Sequence, residues 1–501
     1  MTTRAETSRN LRVGGRLCHR RAPASPKDVR AGPATRAGRR HLFGRRGGAA
    51  FPPRRLRMPT RFFLLLALLG APALRATAQA LPRRPFVGID LRAVDDSIRR
   101  HHRLPDRNGV LVLGVRPGSS AAAAGLRAGD VVRQIDQTVL GPELGPFLAL
   151  LKQYRAGDRA TFTLVRNGRQ RRRLLTFRPL PPEQSPFYEA TYGAVSYGPS
   201  RLRTIVTRPR GAAGKVPLVL FIQGVGCFSI DNPLSRTEPT RRIIDSLSRR
   251  GYATLRVDKT GMGDSQGPPC LQSDLLSEAG GYRAALAAAR QLAFVDARRV
   301  FITGFSIGGV LAPLVARGEN VRGIVVFGTV GRTFTEYLLE NKRNQSQLAG
   351  LPPDSIDALL RTYSAALHLL LTERQPPEQV LTRYPAARGL LQFPQHHTYM
   401  QQWQALNLPR AWQQLDTDVL ALRGAADYIS YSSDHQLIAD VVNRAHPGRA
   451  RFVLLPEVDH HFNHARDMAE AMRLDEQPNP PLNFEFMSVI LRWLDERRND
   501  L

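Results

Sequence analysis

The chain has 501 residues and a formal net charge of +30, from 72 Lys and Arg against 42 Asp and Glu. Arginine supplies 67 of those cations and lysine only 5, a bias spread over the whole sequence, so the charge marks no nucleic-acid arm and no nucleic-acid partner is expected.

Residues 1–57 hold 16 basic residues against Glu6 and Asp28, a surplus of 14, and no periodic apolar face runs through them. From Met58 the pattern changes. Arg61 precedes the apolar stretch 62–69, and small residues lead to Ala78, Gln79 and Ala80. A charged start, a short apolar core and an A-x-A ending predict a secretory signal over 58–80, cleaved after Ala80. Its core is too short to span a bilayer, so no stable membrane span is expected after cleavage, and the protein is expected to be secreted or periplasmic. Residues 1–57 are then either a basic, disordered extension or a stretch upstream of the true start at Met58. An organelle transit segment would account for the arginines but not for the second element.

Phe86, Val87, Gly88 and Ile89 open the next segment, and 109–115 reads as a strand. The run from Pro117 to Asp130 then spells P-G-S-x-A-x-x-A-G-L-x-x-G-D, with a helix expected over 147–154 and a strand over 160–166. Residues 84–178 resemble the PDZ domain of bacterial envelope proteases. The resemblance implies a small β-sandwich or barrel-like domain that takes up an extended peptide as an added strand. Main-chain N–H groups of Phe86, Val87, Gly88 and Ile89 would face the C-terminal carboxylate of a peptide or protein. The alternative is a scaffold module without a ligand. Pro179, Pro181, Pro182 and Glu183 mark a linker.

Short apolar, β-branched runs follow at 204–207, Val216–Ile222, Ala253–Val257, 300–303, 321–327, 419–422 and 452–455, separated by helical stretches. That alternation predicts a parallel sheet covered on both faces. The run at Val216–Ile222 leads into Gln223, Gly224, Val225, Gly226 and Cys227, and Ala253–Val257 into Asp258, Lys259, Thr260, Gly261, Met262, Gly263, Asp264 and Ser265. After 300–303 come Gly304, Phe305, Ser306, Ile307 and Gly308, a G-x-S-x-G between strand and helix, where a sharp turn exposes a serine. Residues 332–408 exceed what the sheet needs. Their helically spaced Leu359, Leu360, Tyr363, Ala366, Leu369 and Leu370 predict a helical cap, with His396 and His397 on its surface or pocket wall. Asp427 ends the run at 419–422, and Asp459, His460, His461 and Phe462 follow the last.

Serine, aspartate and histidine thus stand in the chain order of one fold. Residues 190–498 resemble the α/β-hydrolase superfamily, in its secreted-esterase and prolyl-oligopeptidase-like branches, with Gln223 where the family's oxyanion loop carries histidine. The resemblance implies an α/β fold with a mostly parallel sheet and a cap. It also implies a triad of Ser306, Asp427 and His460, the D-H-x-F spacing selecting His460 over His461. The oxyanion donors would be the N–H groups of Val225 and Ile307. No cofactor and no metal is implied. The expected substrate is a small molecule or acyl compound cleaved as a carboxylic ester through an acyl-enzyme. A peptidase or amidase comes second, and a catalytically silent PDZ binding protein third. Cys227 and Cys270 flank the expected site and can bridge in an oxidising compartment; two separate buried thiols are the alternative.

Overall fold

The computed structural model describes residues 81–477 and 480–499; the basic stretch, the expected signal peptide and Cys18 lie outside them.

Six antiparallel strands form the first domain: β1 (Ile89–Ala93), β2 (Val110–Val115), β3 (Val131–Ile135), β4 (Thr138–Val139), β5 (Arg159–Arg166) and β6 (Arg169–Thr176), in the order β1-β2-β3-β5-β6 with β4 on β3. Helices α1 (Asp96–His101), α2 (Ser120–Ala123) and α3 (Leu144–Leu151) close it over a core that includes Val110, Val132, Phe147, Phe162 and Leu164. The expected helix over 147–154 begins three residues earlier. Pro146 is accommodated because it falls in the first turn, where no intrahelical N–H is required.

The second domain is an eight-stranded sheet built from β7 (Tyr188–Tyr197), β8 (Ser200–Pro209), β9 (Val216–Ile222), β10 (Ala253–Val257), β11 (Val295–Phe305), β12 (Gly323–Phe327), β13 (Asp418–Gly424) and β14 (Ala450–Leu455). Their order is β14-β13-β12-β11-β9-β10-β8-β7. Strands β9 to β14 pair in parallel, and β7 and β8 add an antiparallel edge. Strand alternation divides the core. Leu218, Leu220 and Ile222 face α5 (Leu275–Arg290) and α6 (Ile307–Ala316), while Val219 and Phe221 face α4 (Pro239–Arg249) and α12 (Phe486–Asn499). The strand order reverses between β9 and β11, so the loops leaving their carboxyl ends flank one crevice, the usual ligand position in such sheets.

Helices α7 (Phe334–Leu348), α8 (Pro353–Leu367), α9 (Pro377–Arg383), α10 (His397–Gln404) and α11 (Leu408–Gln413) fill the interval between β12 and β13. Phe334 stacks on Trp403 with ring centroids 4.1 Å apart, fastening α7 to α10. His396 is exposed and caps α10, its Nδ1 accepting from the N–H of Thr398; His397 is half-buried.

The expected linker around Glu183 is not loose. The Glu183 side chain is buried and receives the Arg256 guanidinium at 2.7 and 2.8 Å and Arg241 at 3.1 Å. Burial pushes its carboxyl up, but Arg256 and then Arg241 outweigh that and hold it at about 2. Residues just before the first domain are anchored alongside. Arg83 Nη1 contacts Asp231 at 2.7 Å and Asp264 at 2.5 Å, its guanidinium lies 4.3 Å from the centre of the Tyr192 ring, and the Arg84 N–H donates to Asp264 at 2.7 Å. The segment that reads as a linker therefore ends in a buried ionic junction.

Candidate active site

Ser306 sits between β11 and α6 with φ 54° and ψ −123°. A side-chain-bearing residue adopts such a conformation at a cost of about 1–3 kcal/mol, and surrounding structure must enforce it. Two glycines permit the turn. A Cβ at Gly304 would lie 2.3 Å from the Gly308 carbonyl oxygen, and one at Gly308 would lie 2.4 Å from that of Ile222, so the helix can approach both strands only without side chains here.

The imidazole meets this turn through β12. The Ser306 N–H donates to the Phe327 carbonyl at 2.9 Å, and a Cβ on the next residue, Gly328, would lie 3.0 Å from His460 Nδ1. Ser306 and His460 therefore flank the same strand end. His460 Nδ1 lies 2.9 Å from Asp427 Oδ2, which makes Nδ1–H the donor and leaves Nε2 as the free acceptor. The Asp427 carboxylate is fully buried and takes three further donors: the N–H of Ile429 at 2.8 Å, the N–H of Ser430 at 2.9 Å and the Ser430 hydroxyl at 2.5 Å. Burial would raise this acid, yet His460 and then the Ser430 donors outweigh it and hold it far below the ordinary carboxylate range.

The adjacent His461 is exposed and pairs instead with Asp475 at 3.0 Å, so the structure separates the two histidines as the D-H-x-F spacing does. Asp459 shapes the turn by accepting from the N–H groups of His461 at 2.8 Å and Asn463 at 2.6 Å. The phenylalanine of the motif also has a physical task. Phe462 lies 5.2 Å from Phe305 and 4.9 Å from Phe327 between ring centroids, joining the histidine turn to both strands that hold Ser306.

Among the described residues, the N–H groups of Val225 and Ile307 donate to no protein acceptor. Ile307 is the first residue of α6, where orphan N–H groups and the helix dipole favour negative charge. Val225 lies in the loop after β9, whose Gly224 is close enough that its Cβ would stand 3.7 Å from that of Ser306. Asp258 at the end of β10 holds the far side of this loop through the Ile230 N–H at 2.7 Å and the Ser229 hydroxyl at 3.1 Å. Cys227 and Cys270 form a disulfide with Cα atoms 5.7 Å apart, tying the same loop to the segment after β10. The helices between β12 and β13 are rooted on both sides of this crevice. Asn341 Nδ2 donates to the Ile429 carbonyl at 3.1 Å beside Asp427, and Gln395 Nε2 lies 3.7 Å from Cys227 Sγ.

In the first domain the Phe86–Ile89 loop is held from behind. Phe86 O accepts from Ser120 N at 2.9 Å, Val87 O from Ala121 N at 3.1 Å, and Gly88 O from Arg116 N at 2.9 Å. Among the described residues, the N–H groups of Val87 and Gly88 donate to no protein acceptor, but that of Phe86, also expected to face a ligand, is already engaged: it donates to the Arg178 carbonyl at 2.8 Å, which pairs the segment before β1 with the end of the domain. Gly88 has φ +68°, and a Cβ there would stand 2.2 Å from that of Ser119. Beyond the loop, β1 pairs with no strand but β2 among the described residues, and Val87, Ile89 and Leu91 are half-buried on the same core as Leu144, Leu148 and Leu151 of α3.

Residues 219–473 match the model of the alpha/beta hydrolase family, and residues 85–173 match the PDZ domain model. Esterase EstD of Thermotoga maritima is 26% identical over 184 residues, which cover 36% of this chain and 42% of that protein. The chain thus spans about two fifths of the length of this curated relative. Among solved structures, Est1E from Butyrivibrio proteoclasticus aligns over 62% of this chain and 98% of its own, with 16% identity and a TM-score of 0.38. An acylaminoacyl peptidase from Pyrococcus horikoshii aligns over 68% and 47%, with 10% identity and a TM-score of 0.41.

Proposed function

The chain belongs to the α/β-hydrolase family, and from that premise we propose that it is a serine hydrolase cleaving carboxylic esters through an acyl-enzyme. The observation that carries this reading is Ser306 in its left-handed turn beside a histidine already oriented by a buried carboxylate. In the proposed cycle His460 Nε2 removes the Ser306 proton as Oγ attacks the acyl carbon, and it delivers that proton to the departing alkoxide. Water then repeats the sequence on the acyl-enzyme. Asp427 fixes the tautomer and stabilises the imidazolium without taking the proton. The N–H groups of Val225 and Ile307 receive the negative charge that develops on the carbonyl oxygen, in a crevice the cap shields from water.

The PDZ domain is assigned a second role, binding the free C-terminus of a peptide or protein at the Val87 and Gly88 N–H groups, with the chain continuing along the β1 edge. A secreted or periplasmic location fits the sequence at 58–80 and the Cys227–Cys270 bridge, since such bridges persist in oxidising compartments.

Profiling the purified chain in parallel on short-chain 4-nitrophenyl esters and aminoacyl 4-nitroanilides tests the chemistry. The expected result is ester turnover at least about a hundredfold faster in kcat/KM, lost in Ser306→Ala. Anilides cleaved faster than esters would move the assignment to a peptidase, and activity surviving in Ser306→Ala would remove the nucleophile.

A further inference from the structure

We propose that Lys259 is a positioning residue for catalysis: paired with Glu278, its ammonium grips the Gly224 carbonyl from behind and thereby aims the Val225 N–H at the oxyanion. The inference rests on the serine-hydrolase reading above and adds to it the group that sets the oxyanion loop.

Lys259 Nζ donates to the Gly224 carbonyl oxygen at 3.0 Å and lies 3.0 Å from Glu278 Oε1. Both side chains are almost wholly buried, with 2% and 4% of their surface exposed. A buried ion pair is a costly way to stabilise a fold, since apolar residues of similar volume do as well or better. Its placement against the back of one peptide group calls for a reason beyond stability. The geometry of the peptide bond supplies one. In a trans peptide the C=O and the following N–H point in opposite directions, so drawing the Gly224 oxygen toward Lys259 turns the Val225 hydrogen the other way. Gly224 is the loop residue that lies against Ser306, and a small rotation of this peptide would therefore displace the donor from the reacting carbonyl.

The ammonium adds an electronic effect. A charged donor on a carbonyl makes a stronger hydrogen bond than a neutral one, and it polarises the amide so that its own N–H becomes a better donor. Lysine suits the position because it is a compact point charge with freely directed donors, whereas the planar fork of arginine is built for bidentate partners. The choice stands out in a chain with 67 arginines and 5 lysines. Lys152 and Lys215 are exposed and Lys342 is half-buried, while Lys259 is buried.

The test uses the mature full-length enzyme, 4-nitrophenyl butyrate, and an alkyl trifluoromethyl ketone that forms a hemiketal with the nucleophile. In that adduct the Oγ–C bond forms, the carbonyl electron pair moves onto oxygen and the serine proton passes to His460, so its affinity reports the oxyanion site. Lys259→Met is expected to lower kcat about 30- to 100-fold with KM within about threefold, and to weaken the ketone by the same factor while inhibition by butyrate, the product acid, stays constant. Glu278→Gln, which keeps an oxygen for the ammonium but not the charge, is expected to lose about five- to tenfold in kcat with the same parallel in the ketone. It decides the matter if Lys259→Met does not fold. A folded variant with kcat within twofold of wild type, a loss confined to KM, or a ketone affinity that stays constant while kcat falls overturns the proposal. Ser306→Ala is run beside them: if it is inactive while Lys259→Met keeps kcat within about twofold of wild type, only the positioning role fails, and if it is active, the serine-hydrolase reading itself fails.

Discussion

Two loops in this molecule, Phe86–Ile89 and 223–227, present main-chain N–H groups by the same device of holding carbonyls from behind, yet the groups that hold them differ. In the PDZ domain they are neutral: the N–H groups of Arg116, Ser120 and Ala121. In the hydrolase domain the Gly224 carbonyl is held by a buried ammonium, while a buried carboxylate accepts from the Ile230 N–H beyond the loop and a disulfide ties the loop at Cys227. The difference follows from the anion each loop is proposed to meet. A peptide carboxylate arrives fully charged and tolerates some adjustment of its donors. An oxyanion exists only near the transition state, so donors must stand in place beforehand, and rigid, polarised holding is concentrated there.

The sharpest way to separate the loops is to disable one and read both. Asp427→Asn should lower kcat on small esters by about 10⁴-fold, because the amide orients the wrong tautomer of His460, while the binding of fluorescein-labelled peptides ending in a free Leu or Val carboxylate stays unchanged. A comparable fall in peptide binding would show that the two sites are one cooperative unit.

A second substitution asks whether the ionic junction serves stability. Arg256→Met leaves the buried Glu183 carboxylate with one cation fewer, and urea unfolding at neutral pH should show a loss of about 3–5 kcal/mol. The pH dependence has a definite sign. Glu183 titrates at about 2 in the folded protein against an ordinary 4.5, so its pairing contributes fully above pH 4.5 and is lost as pH falls toward 2. Wild-type stability should therefore decline through that window, and less steeply in Arg256→Met.

The smallest effect concerns the PDZ loop alone. Gly88→Val places a side chain where Ser119 already stands, in a backbone conformation that valine resists. Peptide affinity measured by fluorescence anisotropy should fall at least about tenfold. Undiminished binding would place the peptide elsewhere on the domain.

These comparisons also show what the sequence could and could not reveal. The central strands were legible because they are buried on both faces and read as continuous apolar runs; Val216–Ile222 and Ala253–Val257 match to the residue. The edge strand β7 was not, since its polar, glycine-containing run carries no such pattern. Ser306, Asp427 and His460 could be singled out because each follows a strand, β11, β13 or β14, within a spaced motif. Phe462 stood inside the same motif, but its contacts with Phe305 and Phe327 depend on three separate segments meeting. Glu183 read as part of a linker and Arg83 drew no reading, because only the fold shows which carboxylates and guanidinia are buried together. Lys259 likewise stood in a turn motif whose glycines draw attention away from it.

Whether Ser306 is the nucleophile is decided by reacting the purified protein with a fluorophosphonate and mapping the adduct by peptide mass spectrometry. One adduct per chain is expected, on the peptide containing Ser306 and absent from Ser306→Ala. An adduct on another residue, or none in protein that turns over esters, would contradict that assignment.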